Sequence, residues 1–263
     1  MVAISYVKEI YDPTGLKEQS IAGEGWLKAV SRYCTAPTLY CFSTTQEDYK
    51  TFCQTIQPWL TQDRAVSWIP TYQPSLLSHA GVLYRPDPLV SGLAWQRRYR
   101  HERGYSICGI THTIASKETM HGIGEWLTAP LYEWDAIICT SATVKTAILK
   151  LLAQWRDYLS QRWQAPQIPL QPQLPVIPLG VHWQEFQSPP EIRQQLRQQL
   201  GIAPEDIAVL FFGRLIFSAK AHPVPMYMAV RQAAEAAGVK QVGLSMRQKG
   251  KHSMRQPKNL DRE

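Results

Sequence analysis

Leu174-Pro-Val-Ile-Pro-Leu-Gly-Val-His182, followed after a short helical pattern by Ala208-Val-Leu-Phe-Phe-Gly-Arg-Leu215, is the stretch on which the fold reading turns. Val176 and Ile177 are a short apolar run that reads as the last strand of one sheet. Pro178 removes a backbone donor and Gly180 tolerates positive φ, so the strand is expected to stop and turn there. Ser188 to Glu191 fits a helix start, with Ser188 capping, Pro189 at the first helical position and Glu191 closing a capping box. Ile192, Leu196 and Leu200 then share one helical face, and Gly201 ends the helix. Ala208 to Phe212 has the pattern of a buried strand opening a second sheet. Arg214 and Lys220 follow its carboxyl end, where open α/β sheets bind ligands.

Upstream of this hinge, short apolar runs alternate with helical patterns. Strands are expected at Val2–Val7, Thr38–Phe42, Ala65–Ile69, Gly81–Tyr84, Tyr105–Ile110 and Trp134–Cys139. Helical patterns separate them, and Ala22-Gly-Glu-Gly25 is read as a turn leading into one of these helices. The clearest periodicity is Val144, Ile148, Leu151, Trp155 and Leu159, a single apolar stripe capped by Thr140 or Ser141. Strands alternating with helices at this spacing predict βαβ units and a mostly parallel, Rossmann-like α/β sheet. A Pro/Gln-rich linker, 165–175, leads to the hinge. Residues 1–175 therefore read as one domain, 176–204 as hinge and linker helix, and 205–238 as the first strand-helix unit of a second domain. Residues 239–263 read as a disordered basic tail.

Pro175-Val-Ile-Pro-Leu-Gly-Val181, Phe186, Phe212-Gly-Arg-Leu215, Lys220 and Ala219-Lys-Ala-His-Pro-Val-Pro-Met226 resemble the hinge and second-domain entry of family 4 glycosyltransferases of the GT-B fold, in a cyanobacterial-type branch. The resemblance implies retaining transfer of a hexose from a nucleotide-sugar donor to a sugar or lipid acceptor, with no metal or other cofactor. It also implies a paired-glutamate motif in the second domain. The last glutamates here are Glu235 and Glu263, so that motif is missing and the chain is expected to be truncated and inactive alone. A non-catalytic module that binds an acceptor, or a full-length glycosyltransferase partner, is the alternative. Whether the chain is an enzyme stays open at this point.

The residues that would carry such chemistry follow from the charge that develops on a leaving diphosphate, which fixed cations and N–H groups must meet. Arg214 grips phosphate bidentately and Lys220 adds a point charge; the family's matching residues contact the donor diphosphate. Gly23 and Gly25, read as preceding a helix, would let backbone N–H groups approach a phosphate or sugar. His112, flanked by Thr111 and Thr113 after a strand, matches the position where the family often has a histidine near the transferred sugar. Ser141 reaches the same edge, although helix capping alone accounts for it. The other histidines (79, 101, 121, 222, 252) have no metal-ligand spacing. Arg97, Arg98, Arg100 and Arg103, with Tyr99, read as a solvated basic helix end; contact with anionic lipid or phosphate is the sharper reading of the same cluster.

The chain has 263 residues, 44% of them hydrophobic, enough for a real core. Five cysteines, an odd number without redox or metal spacing, read as reduced thiols of a cytosolic protein. No run approaches the roughly 20 apolar residues of a membrane span. The formal charge of +7 is concentrated: residues 240–263 hold seven of the 28 Lys+Arg and two of the 21 Asp+Glu, leaving 21 against 19 in 1–239. That distribution, with no aromatic residue in the tail, argues against a nucleic-acid partner.

Overall fold

A computed structural model describes residues 1–11, 18–60, 64–181, 183–203, 206–209, 223–236 and 238. The chain divides into two compact units, Met1–Val181 and His182–Glu263. The first is built on six strands: β1 Val2–Ser5, β2 Thr38–Ser43, β3 Ala65–Pro70, β4 Val82–Tyr84, β5 Ser106–Ile110 and β6 Ala136–Ile138. They form one sheet in the order β3-β2-β1-β4-β5-β6, and every pairing is parallel. All six strands predicted before the hinge are present. This is a Rossmann-like α/β arrangement, and its strand order reverses between β1 and β4.

Side-chain alternation explains why the sheet must be covered on both faces. Ala3, Phe42, Leu83, Ile107 and Ile137 enter one core, while Ile4, Leu39, Cys41, Tyr84 and Ile110 enter the other. With apolar residues on both sides, the strands need helices on both sides. Those helices are α1 Lys8–Tyr11, α2 Glu18–Tyr33, α3 Gln46–Ile56, α4 Ser91–Arg98, α5 Lys117–Gly124 and α6 Ala142–Trp163. Tyr11, Leu27, Phe52 and Ile56 from α1 to α3 fill the second core. Val90, Ala94, Ile123, Ile148, Leu152 and Leu159, from α4 to α6 and the residue before α4, fill the first.

Local chemistry sets the helix ends. Thr45 and Asp48 make a reciprocal capping box at α3, and the Ser141 hydroxyl accepts from the Val144 N–H at 3.1 Å to cap α6. Close packing of α5 on α6 requires glycine: a Cβ on Gly124 would lie 2.3 Å from Trp155 Cε2. Cys41 and Cys139 are buried, Cys34, Cys53 and Cys108 half-buried, and all five are free thiols. Burial pushes the Cys41 thiol up to about 12 and Cys108 to about 11. Neither is a nucleophile at neutral pH.

Three expectations change. Val176 and Ile177 do not form a strand; the segment follows β6 through two isolated parallel bridges, Ala136 with Gln173 and Cys139 with Val176. Second, Arg97 is not part of a solvated cluster. It is buried, with its two terminal nitrogens on the two Asp135 carboxylate oxygens at 2.6 and 2.7 Å. The guanidinium also donates to the Tyr105 and Pro130 carbonyls, and Asp135 accepts from the Ile107 and Tyr132 amides. A pair bonded this extensively tolerates burial, although the Arg97 Nε itself has no partner among the described residues.

The third concerns the second unit, where helix α7 spans Pro190–Gln199. Its N-cap is Pro189, with no side-chain cap bond, so the Ser188–Glu191 capping box is not formed. A prolyl N-cap has no side-chain oxygen to offer the first-turn amides. Ile192, Leu196 and Leu200 share a face as predicted, and all three are exposed. Gly201 takes φ of 66° after the helix. Ala208 and Val209 carry no regular structure, and the rest of the strand predicted at Ala208–Phe212 lies outside the described residues. Helix α8 spans Pro223–Ala236, inside the strand-helix unit predicted at 205–238. The predicted basic tail, 239–263, lies outside the described residues.

Candidate functional site

In a sheet of this topology the crevice for a ligand opens beyond the carboxyl ends of the strands beside the order reversal, here β1 and β4. The sequence places Arg85-Pro-Asp-Pro88 after β4 and Thr111-His-Thr113 after β5. Arg85 and Asp87 pair at 2.8 Å, and the same Asp87 oxygen accepts from the Leu89 N–H at 2.8 Å. Proline on both sides of Asp87 restricts the backbone, so this carboxylate is held before any ligand arrives. The Ile110 amide donates to the Asp87 carbonyl at 3.4 Å, which ties the exits of β4 and β5 together. Gln19, in the first turn of α2, reaches the Pro86 carbonyl at 3.5 Å.

His112 is half-buried at this edge, and its Nε2 has no hydrogen-bond partner among the described residues. Burial lowers its pKa below the ordinary histidine value, while the Asp87 charge and a hydrogen bond to the Pro86 carbonyl act in the other direction. The ring is therefore held neutral at pH 7, and with its N–H given to the Pro86 carbonyl the Nε2 is left as a buried acceptor with no donor among the described residues. The Tyr11 hydroxyl, at the end of α1 after β1, is buried and likewise has no partner among the described residues. Burial beside Tyr84, Cys41, Tyr6 and Asp87 raises its pKa well above the usual value, so it stays a neutral donor. An unsatisfied buried polar atom costs roughly 1–3 kcal/mol, and both groups lie near enough to Asp87 for its charge to act on them.

The His112 shift gives a signed prediction. Its folded pKa lies below the unfolded value, so the unfolded state binds more protons as the pH drops below about 6.5. Stability is fully present above that pH and is lost as pH falls through the folded pKa. The measurement is thermal melting between about pH 7.5 and 5 for the wild type and His112→Gln. The variant should melt with a shallower pH dependence; identical slopes would show that His112 titrates as it does in the unfolded chain.

No match for this chain was found among family models, curated proteins or solved structures.

The predicted site residues divide into three groups. His112 and Ser141 stand on the exits of the adjacent strands β5 and β6, at one sheet edge. Ser141 spends its oxygen as the α6 cap, and Thr111 spends its hydroxyl between the Ile138 carbonyl and the Thr140 amide. Gly23 and Gly25 do not precede a helix: they lie inside α2, which begins at Glu18. Gly23 is there for packing, since a Cβ would meet the Ile10 carbonyl oxygen at 2.7 Å, while a Cβ on Gly25 would meet nothing within 4 Å. The α2 backbone N–H groups at these positions are committed to the helix, so no phosphate-cradling turn exists there. Arg214 and Lys220 lie outside the described residues.

Sequence reading missed Arg85, Asp87 and Tyr11. Their signal is Arg85-Pro-Asp-Pro88, an opposite-charge pair at a strand's carboxyl end with a proline on each side of Asp87. Among the described residues no three His, Cys, Asp or Glu side chains gather as a metal centre would require.

Proposed function

We propose that the Met1–Val181 unit is the acceptor-side half of a retaining, nucleotide-sugar-dependent hexosyltransferase of the family 4 type. The observation that carries this reading is His112, neutral and with Nε2 unpartnered, at the carboxyl edge of a 3-2-1-4-5-6 parallel sheet, one strand from the order reversal between β1 and β4. The hinge and Phe212-Gly-Arg-Leu215 resemblance supports it independently. In this reading His112 contacts the transferred sugar, Asp87 and Arg85 shape the acceptor side, and Arg214 with Lys220 stabilises the leaving diphosphate. Donor and acceptor are a nucleotide hexose and a sugar or lipid hydroxyl.

The test is calorimetric titration of the purified chain with uridine, guanosine and adenosine diphosphate hexoses, alone and with candidate acceptors. The chain alone should bind an acceptor, and should neither bind a donor tightly nor transfer hexose. Steady hexose transfer or tight donor binding by the chain alone overturns the reading that it is inactive alone, and a chain that binds no acceptor overturns the acceptor-side assignment. If that chain instead copurifies with a second glycosyltransferase, the non-catalytic partner-binding module takes its place.

A further inference from the structure

The opposite end of β5 carries a second surface that the proposed function does not use. Helix α4 ends in Trp95, Arg98 and Tyr99, and the loop Arg100-His-Glu-Arg-Gly104 leads into the amino end of β5. Trp95 is 42% and Tyr99 79% exposed, and their rings stack with centroids 6.1 Å apart. Single exposed aromatics are ordinary; a stacked exposed pair one helical turn apart is not explained by the core. Arg97 is consumed by Asp135, and Arg98 is paired with Glu102. Arg100, His101 and Arg103 are exposed. The Arg103 guanidinium lies 5.7 Å from the centre of the Trp134 ring, and the residue lines an open cleft of about 540 Å³ with Ser106, Glu133 and Trp134.

Trp and Tyr with exposed arginines are the side chains that settle at the headgroup layer of an anionic bilayer. Among the described residues no helix is long and apolar enough to cross a membrane, so contact of this kind would be peripheral. Stacking of Trp95 on Tyr99 engages a face of each ring, which disfavours the base stacking that a single-stranded nucleic acid would require.

We infer that the surface of Trp95, Tyr99, Arg100 and Arg103 docks onto an anionic phospholipid membrane. Docking there holds the His112 crevice at the far end of β5, roughly 15 Å or more from the bilayer. The experiment is cosedimentation of the full chain with phosphatidylcholine vesicles, with and without phosphatidylglycerol. The chain should bind the anionic vesicles, release with added salt, and ignore the neutral ones. Arg100→Gln and Arg103→Gln should each weaken binding about fivefold, and Trp95→Ser with Tyr99→Ser should abolish it without lowering the melting temperature. A fourth variant, with every Lys and Arg of 240–263 changed to Gln, should keep the patch-dependent difference. Binding that survives the patch variants, disappears only with the tail charges, or ignores phosphatidylglycerol overturns the inference. So does an absence of vesicle binding alongside patch-dependent binding of single-stranded RNA.

Discussion

Arg97→Ala is expected to destabilise the Met1–Val181 unit by about 3–5 kcal/mol, because it strands a buried carboxylate. Asp135 has no solvent access and would keep only its two backbone donors, Ile107 N and Tyr132 N. The Tyr105 and Pro130 carbonyls would lose their donor at the same time. Thermal melting should fall by roughly 6–20 °C for a unit of this size. The informative control is Arg97→Met with Asp135→Leu, which removes both charges and should recover much of the loss, since a buried pair replaced by apolar groups of similar volume is often near neutral. Arg97→Lys should lie between, retaining charge without the two-pronged geometry. A single Arg97→Ala variant within about 1 kcal/mol of wild type would mean that the pair is solvated.

Trp126→Ala is expected to cost about 3–5 kcal/mol by chemical denaturation, for a different reason. Its indole is 2% exposed in the core formed with α4 to α6, and its Nε1 donates to the Pro88 carbonyl at 3.0 Å. Truncation removes a large apolar body and leaves a carbonyl unsatisfied. Trp126→Phe separates the two effects: the ring volume largely stays, and the hydrogen bond alone is lost, for about 1–3 kcal/mol. Pro88 follows Asp87 directly, so the variant also tests whether the core holds the candidate site. His112→Gln melting profiles measured in the Trp126→Phe background should lose part of their difference from His112 protein if the Asp87 loop shifts. If Trp126→Phe and Trp126→Ala cost the same, the hydrogen bond rather than packing dominates.

Much of the fold was legible because its signal is local. Six apolar runs bounded by turn residues gave six strands, and the stripe from Val144 to Leu159 gave α6 with Ser141 as its cap. Where the outcome depends on distant partners, local pattern misleads. Arg97 sits among arginines and reads as solvated; only the fold brings Asp135, 38 positions along the chain, to its side. Gly23 reads as a turn residue, yet the constraint on it is the approach of the Ile10 carbonyl to α2. Ser188 has the chemistry of a cap, but the helix starts two residues later, after Pro189. The site was legible in part. His112 stands where a strand end predicts it, whereas Asp87 and Tyr11 gain significance only when β1, β4 and β5 become neighbours.

The bridges along β6 bear on where this sheet can be cut from the rest of the chain. Ile137 N donates to Gln173 O, Cys139 N to Pro175 O, and Ile177 N to Cys139 O, at 2.8 to 3.0 Å. The linker thus sheathes a margin that would otherwise present bare amides and carbonyls to other molecules. An excised fragment ending near residue 170 would expose that margin and invite self-association, whereas one carried through Ile177 would keep its sheath.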